Sequence, residues 1–110
     1  MPPKNKFTKD EVIQAALALA RAGGMQAVTA RALGAALGTS AKPIFGLFAG
    51  MEEVHQAILV RADELYQKRT AEVVASGKYL PYKATGMAYI LFAREEPALF
   101  KMLFMRDRTD

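Results

Sequence analysis

The chain has no cysteine, which excludes a disulfide framework, a thiolate metal site and a cysteine nucleophile. It has one histidine, His55, so no multi-histidine metal site can form and any imidazole base has a single candidate. Long apolar runs are also missing. The longest unbroken one, residues 87–93, is far short of the ~20 residues of a membrane span. No phosphate-cradling glycine loop and no nucleophile elbow occurs. A disulfide-stapled, zinc-finger or membrane-spanning protein is therefore not expected. What is present is a globular composition, 52% hydrophobic and 24% charged over 110 residues, enough chain for one small core.

Charge is distributed unevenly along the chain. Residues 1–50 carry six basic side chains (Lys4, Lys6, Lys9, Arg21, Arg31 and Lys42) against Asp10 and Glu11. Residues 51–110 carry nine basic and nine acidic ones, so the whole formal charge of +4 belongs to the first half. A basic half joined to a neutral half points to a polyanion partner for the first, against the plainer reading of a merely soluble basic surface. Residues 12–22 are apolar, follow three lysines and contain Ala-x-Ala spacing, as a signal peptide would. Asp10, Glu11 and Gln14 sit badly in such a segment, and a helix in a cytoplasmic protein explains it better.

Helix signals recur through the chain and strand signals do not. Thr8-Lys9-Asp10-Glu11 is a capping box, with Phe7 and Val12 placed as a hydrophobic staple. It opens a helix over 9–22 with Val12, Ala16, Leu19 and Ala20 on one face, stopped by Gly23-Gly24. Thr29 caps a short helix over 30–37, and Ser40 caps another over 41–47, in which Pro43 lies among the first-turn amides that have no acceptor. Glu52-Glu53 starts a long helix over 52–75 with Val54, Ile58, Ala62 and Leu65 as its stripe. Leu80-Pro81 opens a fifth helix to 94, and Pro97 a sixth toward Met105. The expected fold is all-α.

Two short helices separated only by Gly38-Thr39 must cross steeply, which is a helix-turn-helix. The second then stands out from the bundle, where its N-terminal residues can enter a DNA major groove. The stretch from Thr29 to Phe48, TARALGAALGTSAKPIFGLF, resembles the helix-turn-helix of TetR-family transcriptional regulators. The matching features are the capping threonine, the Gly-x-Ser turn and the aromatic pair Phe45 and Phe48. Ile13, Ala16 and Gly24 fall at first-helix core and stop positions, and Glu52-Glu53-Val54 resembles the start of the fourth helix; the likeness spans about 7–66.

The second half adds to the resemblance through Tyr82-Lys83, Gly86-Met87-Ala88-Tyr89, Phe92-Ala93 and Glu96-Pro97-x-Leu99-Phe100, similar to the first effector-domain helices of part of that family. The resemblance implies a DNA-binding head over 1–50, a connecting helix over 51–76 and the first part of a ligand-binding and dimerisation domain over 77–110. It implies double-stranded operator DNA as partner and Thr29, Arg31, Ser40, Ala41, Lys42, Pro43, Phe45 and Gly46 as contact residues, with Lys4 and Lys6 as an arm. Tyr89, Phe92, Phe100 and Phe104 would wall a small apolar effector's pocket, and two copies would pair. Separately, the run Leu99–Met105 has six apolar residues in seven and needs covering on most sides, so self-association through residues 86–105 is expected. The implied function is a sequence-specific regulator, a repressor relieved by that effector. The rival readings are a shortened homologue that pairs with a full-length regulator and a non-specific nucleic-acid-binding module. No cofactor, metal, membrane contact or enzymatic activity is expected. His55 reads as a surface or packing residue, and the adjacent Glu95 and Glu96 point apart on a helix end rather than pairing for acid–base work.

The sequence also departs from that family's pattern. Gly34 stands where alanine is usual, Thr39 where a valine plugs the core, and Phe45 where a tyrosine hydroxyl reaches phosphate. Gly46 replaces a larger side chain and Met51 a phosphate-directed lysine.

Overall fold

The computed structural model describes residues 7–105. Six α-helices follow one another: α1 (Lys9–Gly23), α2 (Ala30–Leu37), α3 (Lys42–Leu47), α4 (Met51–Ser76), α5 (Pro81–Glu95) and α6 (Pro97–Phe104). One 3-10 turn, Met25–Ala27, intervenes before α2. The described residues contain no strand. The chain divides into two compact units, Met1–Ile58 and Leu59–Asp110, and α4 supplies residues to each.

In the first unit the local signals act as the sequence predicts. The Thr8 hydroxyl accepts the Glu11 amide at 3.1 Å, and the Glu11 carboxylate accepts the Thr8 amide at 2.9 Å. Two of the amides that a helix start leaves without partners are thereby satisfied. Val12, Ala16 and Ala20 are buried as the periodicity requires. The fourth buried residue of α1 is Leu17, however, while Leu19 is half-buried. The apolar face is therefore centred slightly off the predicted stripe. The helix α1 packs against α2 and the 3-10 turn, and α2 packs against α3. Val28, Leu33, Ile44, Phe48, Val54 and Ile58 are buried as well. The half-buried His55 makes a 2.9 Å hydrogen bond through Nε2 with the Val28 carbonyl oxygen. That bond ties the start of α4 to the segment entering α2, and it bears out the packing reading of His55.

The second unit is held by aromatic and small residues. Ala84, Ala88 and Val73 form a buried cluster with Tyr79, Met87 and Leu91 packed against it. Between α5 and α6 the packing is aromatic: Tyr89, Phe100 and Phe104 are mutual neighbours at centroid distances of 4.9–5.1 Å. Tyr66 of α4 meets Phe92 at 5.2 Å and Phe104 at 5.1 Å, both edge-on. Of the strongly apolar end of the chain, Leu99 and Met102 are buried while Phe104 and Met105 remain exposed.

One ion pair in this unit has fork geometry. The Arg69 Nε and Nη2 donate to the two Glu95 carboxylate oxygens, each at 2.8 Å, and Nη1 reaches Glu72 at 3.5 Å. These hydrogen bonds hold the Glu95 carboxyl below the usual glutamate range and raise the Arg69 guanidinium further. A lowered folded-state value means that the pair's contribution is present above the unfolded glutamate value and is lost as pH falls through the lowered one. Glu95→Gln is accordingly expected to flatten the acid limb of the stability profile while changing little near neutral pH relative to its offset there. Urea unfolding at a series of pH values measures this, and parallel profiles for both proteins would contradict it.

Candidate nucleic-acid interface

The helix-turn-helix is built by three local devices. The Thr29 hydroxyl accepts the Ala32 amide at 3.0 Å, so α2 starts where the sequence places it. At its other end Gly38 adopts φ +75°, a left-handed conformation that favours glycine. Its amide bonds to the Ala35 carbonyl at 3.2 Å while the Thr39 amide bonds back to the Gly34 carbonyl at 2.8 Å. This is a Schellman closure, which turns the chain sharply out of α2. Then Ser40 Oγ accepts the Lys42 amide at 3.3 Å. The next amide, which an N-cap side chain would also be able to hold, is absent because residue 43 is proline. The regular helix begins at Lys42, one residue later than predicted, so its N-cap position falls on Ala41 (φ −76°, ψ −14°) and Ser40 does not cap it as expected.

Gly34 explains how the turn closes so tightly. A Cβ on this residue would lie 2.7 Å from the Thr39 carbonyl oxygen and 3.1–3.2 Å from the Ser40 carbonyl group. The missing methyl group is what lets the turn backbone lie down on α2. Gly46 differs, because a Cβ there would meet nothing within 4 Å.

The structure brings the sequence-predicted residues onto accessible surface without burying any of them. Thr29, Arg31, Ser40, Lys42, Phe45 and Gly46 are exposed, and Ala41 and Pro43 are half-buried. Phe45 is 48% exposed whereas Phe48 is buried at 4%, so the two aromatics divide as surface and core. Among the described residues neither Arg31 nor Lys42 has an ion pair through its charged group. Three of the unit's carboxylates are engaged nearby: Glu11 in the capping box, Glu53 on the Ala49 amide at 2.6 Å and Glu52 on Gln56 at 3.2 Å. Lys4 and Lys6 lie outside the described residues. One cation that sequence reasoning passed over is Lys9, whose Nζ stands 5.5 Å from the centre of the Phe48 ring. Nothing in a spacing of thirty-nine residues signals that pairing.

Of the residues assigned to an effector pocket, Tyr89, Phe100 and Phe104 stack on one another, and Phe92 joins them through Tyr66. Tyr66 was the missing member, although its place four residues after the buried Ala62 was a usable signal. Phe92 also lines an open cleft of about 200 Å³ with Leu65, Arg69 and Glu95. No group of three or more potential metal ligands occurs among the described residues, and no described helix is long and apolar enough to cross a membrane.

Comparison with known families gives one finding that coincides with the first unit. Residues 12–58 match the family described as bacterial regulatory proteins, tetR family, and the match ends on the last residue of that unit. No curated protein matches the chain. The matched family is one of DNA-binding transcriptional regulators, and the capped helices, the glycine turn and the accessible α3 are its architecture. Residues 12–58 of this chain are thus similar to the N-terminal helix-turn-helix domain of TetR-family regulators.

Proposed function

We propose that the chain is a sequence-specific DNA-binding regulator whose first unit lays α3 in the major groove. The observation that carries this reading is the exposed Lys42 at the start of α3, without an ion pair among the described residues, which follows the turn out of α2. Lys42 supplies the charged donor to the groove. Arg31, Thr29 and Ser40 face the backbone phosphates, while the Phe45 ring lies against a sugar. Ala41, Pro43 and Gly46 present little or no side chain, which allows the helix backbone to approach base edges closely. Lys4 and Lys6, which lie outside the described residues, are further proposed contacts.

With so few hydrogen-bonding side chains on α3, base readout rests on thymine-methyl contacts and DNA shape more than on bidentate pairs. The connecting helix and the residues beyond it form a sensing region, in which Tyr89, Phe92, Phe100 and Phe104 recognise a small apolar effector. The exposed Tyr89, Ile90, Phe104 and Met105 seat a second copy of the chain, so that two heads read paired half-sites. Ligand then relieves repression by binding better to the arrangement that does not fit DNA.

Selection from a pool of random duplexes tests this. The expected result is a short, thymine-rich half-site repeated in inverted orientation. A pool that shows no enrichment, or a long and strict guanine-rich consensus, would overturn the reading.

A further inference from the structure

We propose that the DNA-binding surface extends onto α1 through Lys9, held in place by Phe48 as a fixed phosphate contact. This inference rests on the DNA-binding reading and adds a residue to it. Phe48 is 4% exposed and immediately follows α3, so its ring is a rigid part of the core. The Lys9 ammonium sits over that ring at 5.5 Å. A ring quadrupole attracts a cation without neutralising it, unlike a carboxylate. Lys9 therefore keeps its full charge while losing much of the freedom of an ordinary surface lysine. The other cations with described partners show the contrast: Arg61 and Arg69 are paired with glutamates.

Placement supplies the second part of the argument. Six residues of helix rise about 9 Å, so Lys42 at the start of α3 and Lys9 beside its far end lie on the scale of a major groove about 12 Å wide. A helix lying in the groove with one cation at each end can meet phosphates on both walls. Lys9 carries no sequence information in this position; it sets orientation and adds salt-dependent affinity.

Fluorescence anisotropy of the full chain with a labelled duplex, across a salt series, reads this directly. Lys9→Gln is expected to lower the slope of log K against log salt by about 0.9. Its affinity deficit against the parent then narrows about 3.5-fold between roughly 50 and 200 mM salt. Lys9→Arg should retain the parent slope, because a guanidinium stacks on the ring equally well. Lys68→Gln, an exposed lysine of the second unit, controls for net charge and should also retain it. Thermal melting followed by circular dichroism confirms that each variant is folded. A parent slope in Lys9→Gln together with a lowered slope in Arg31→Gln would overturn the Lys9 contact alone. No measurable slope in the parent protein would overturn the DNA-binding reading and this inference with it.

Discussion

Gly34→Ala and Gly46→Ala are expected to change stability in opposite directions. The two substitutions are chemically identical and both replace a helical glycine, which by propensity alone should stabilise by about 0.5–1 kcal/mol. At Gly46 the added methyl group enters open space, so that gain is expressed in full. At Gly34 it is driven to 2.7 Å from the Thr39 carbonyl oxygen, which is backbone and cannot swing aside. Overpacking of this kind costs about 1–3 kcal/mol. Opening the turn to relieve it lengthens the Thr39–Gly34 hydrogen bond that shapes the Schellman closure. The expected gap between the variants is about 1–3 kcal/mol, because the propensity gain is common to both, or roughly 4–24 °C in melting temperature for a domain of this size. Differential scanning calorimetry measures it. A Gly34→Ala protein as stable as Gly46→Ala would show that the close approach is not what the glycine provides.

The same pair separates stability from recognition. Gly46→Ala adds a methyl group to the bare surface of α3, where the account places the groove. It should weaken DNA binding even as it stabilises the fold.

Most of the fold was legible because its signals are local. The Thr8–Glu11 box, the Thr29 cap, Gly38 and the prolines at 43, 81 and 97 each act within four residues of themselves, and the helix bounds follow to within one or two positions. The candidate site was legible in outline for the same reason. Arg31 and Lys42 occupy the first turns of short helices, and both side chains are exposed.

What escaped the sequence is non-local. The hydrogen bond from His55 to Val28 and the placing of Lys9 over Phe48 link residues 27 and 39 positions apart, with no repeating pattern to mark them. The meaning of Gly34 was half visible. Its helix penalty follows from residue type, but its benefit depends on where the turn backbone returns. Tyr66 was overlooked because the α4 stripe was followed through Leu65, whereas helical spacing puts both residues near the buried face.

The second large effect expected is on DNA affinity. Lys42→Ala should weaken binding by about 1–3 kcal/mol, roughly 5- to 150-fold, if the loss is confined to one base-pair position, which marks a base contact. A smaller loss shared equally by all sequences marks a phosphate contact instead. Arg31→Ala should behave in the second way, with the salt slope flattened by roughly one unit. The two side chains have no carboxylate partner among the described residues, so their loss leaves no buried charge behind and the fold should keep its stability.

The measurement that bears most directly on the central claim is the affinity of the Arg31→Ala, Lys42→Ala double variant for a duplex enriched by selection. It should be compared with the parent over a salt series, both proteins being shown folded by circular dichroism. The account predicts a loss of one to two orders of magnitude at low salt and a slope smaller by about 1.8 where both contact phosphate, or about 0.9 where Lys42 meets a base. Equal affinity and equal slope for the two proteins would contradict it, and would remove α2 and α3 as the surface that reads DNA.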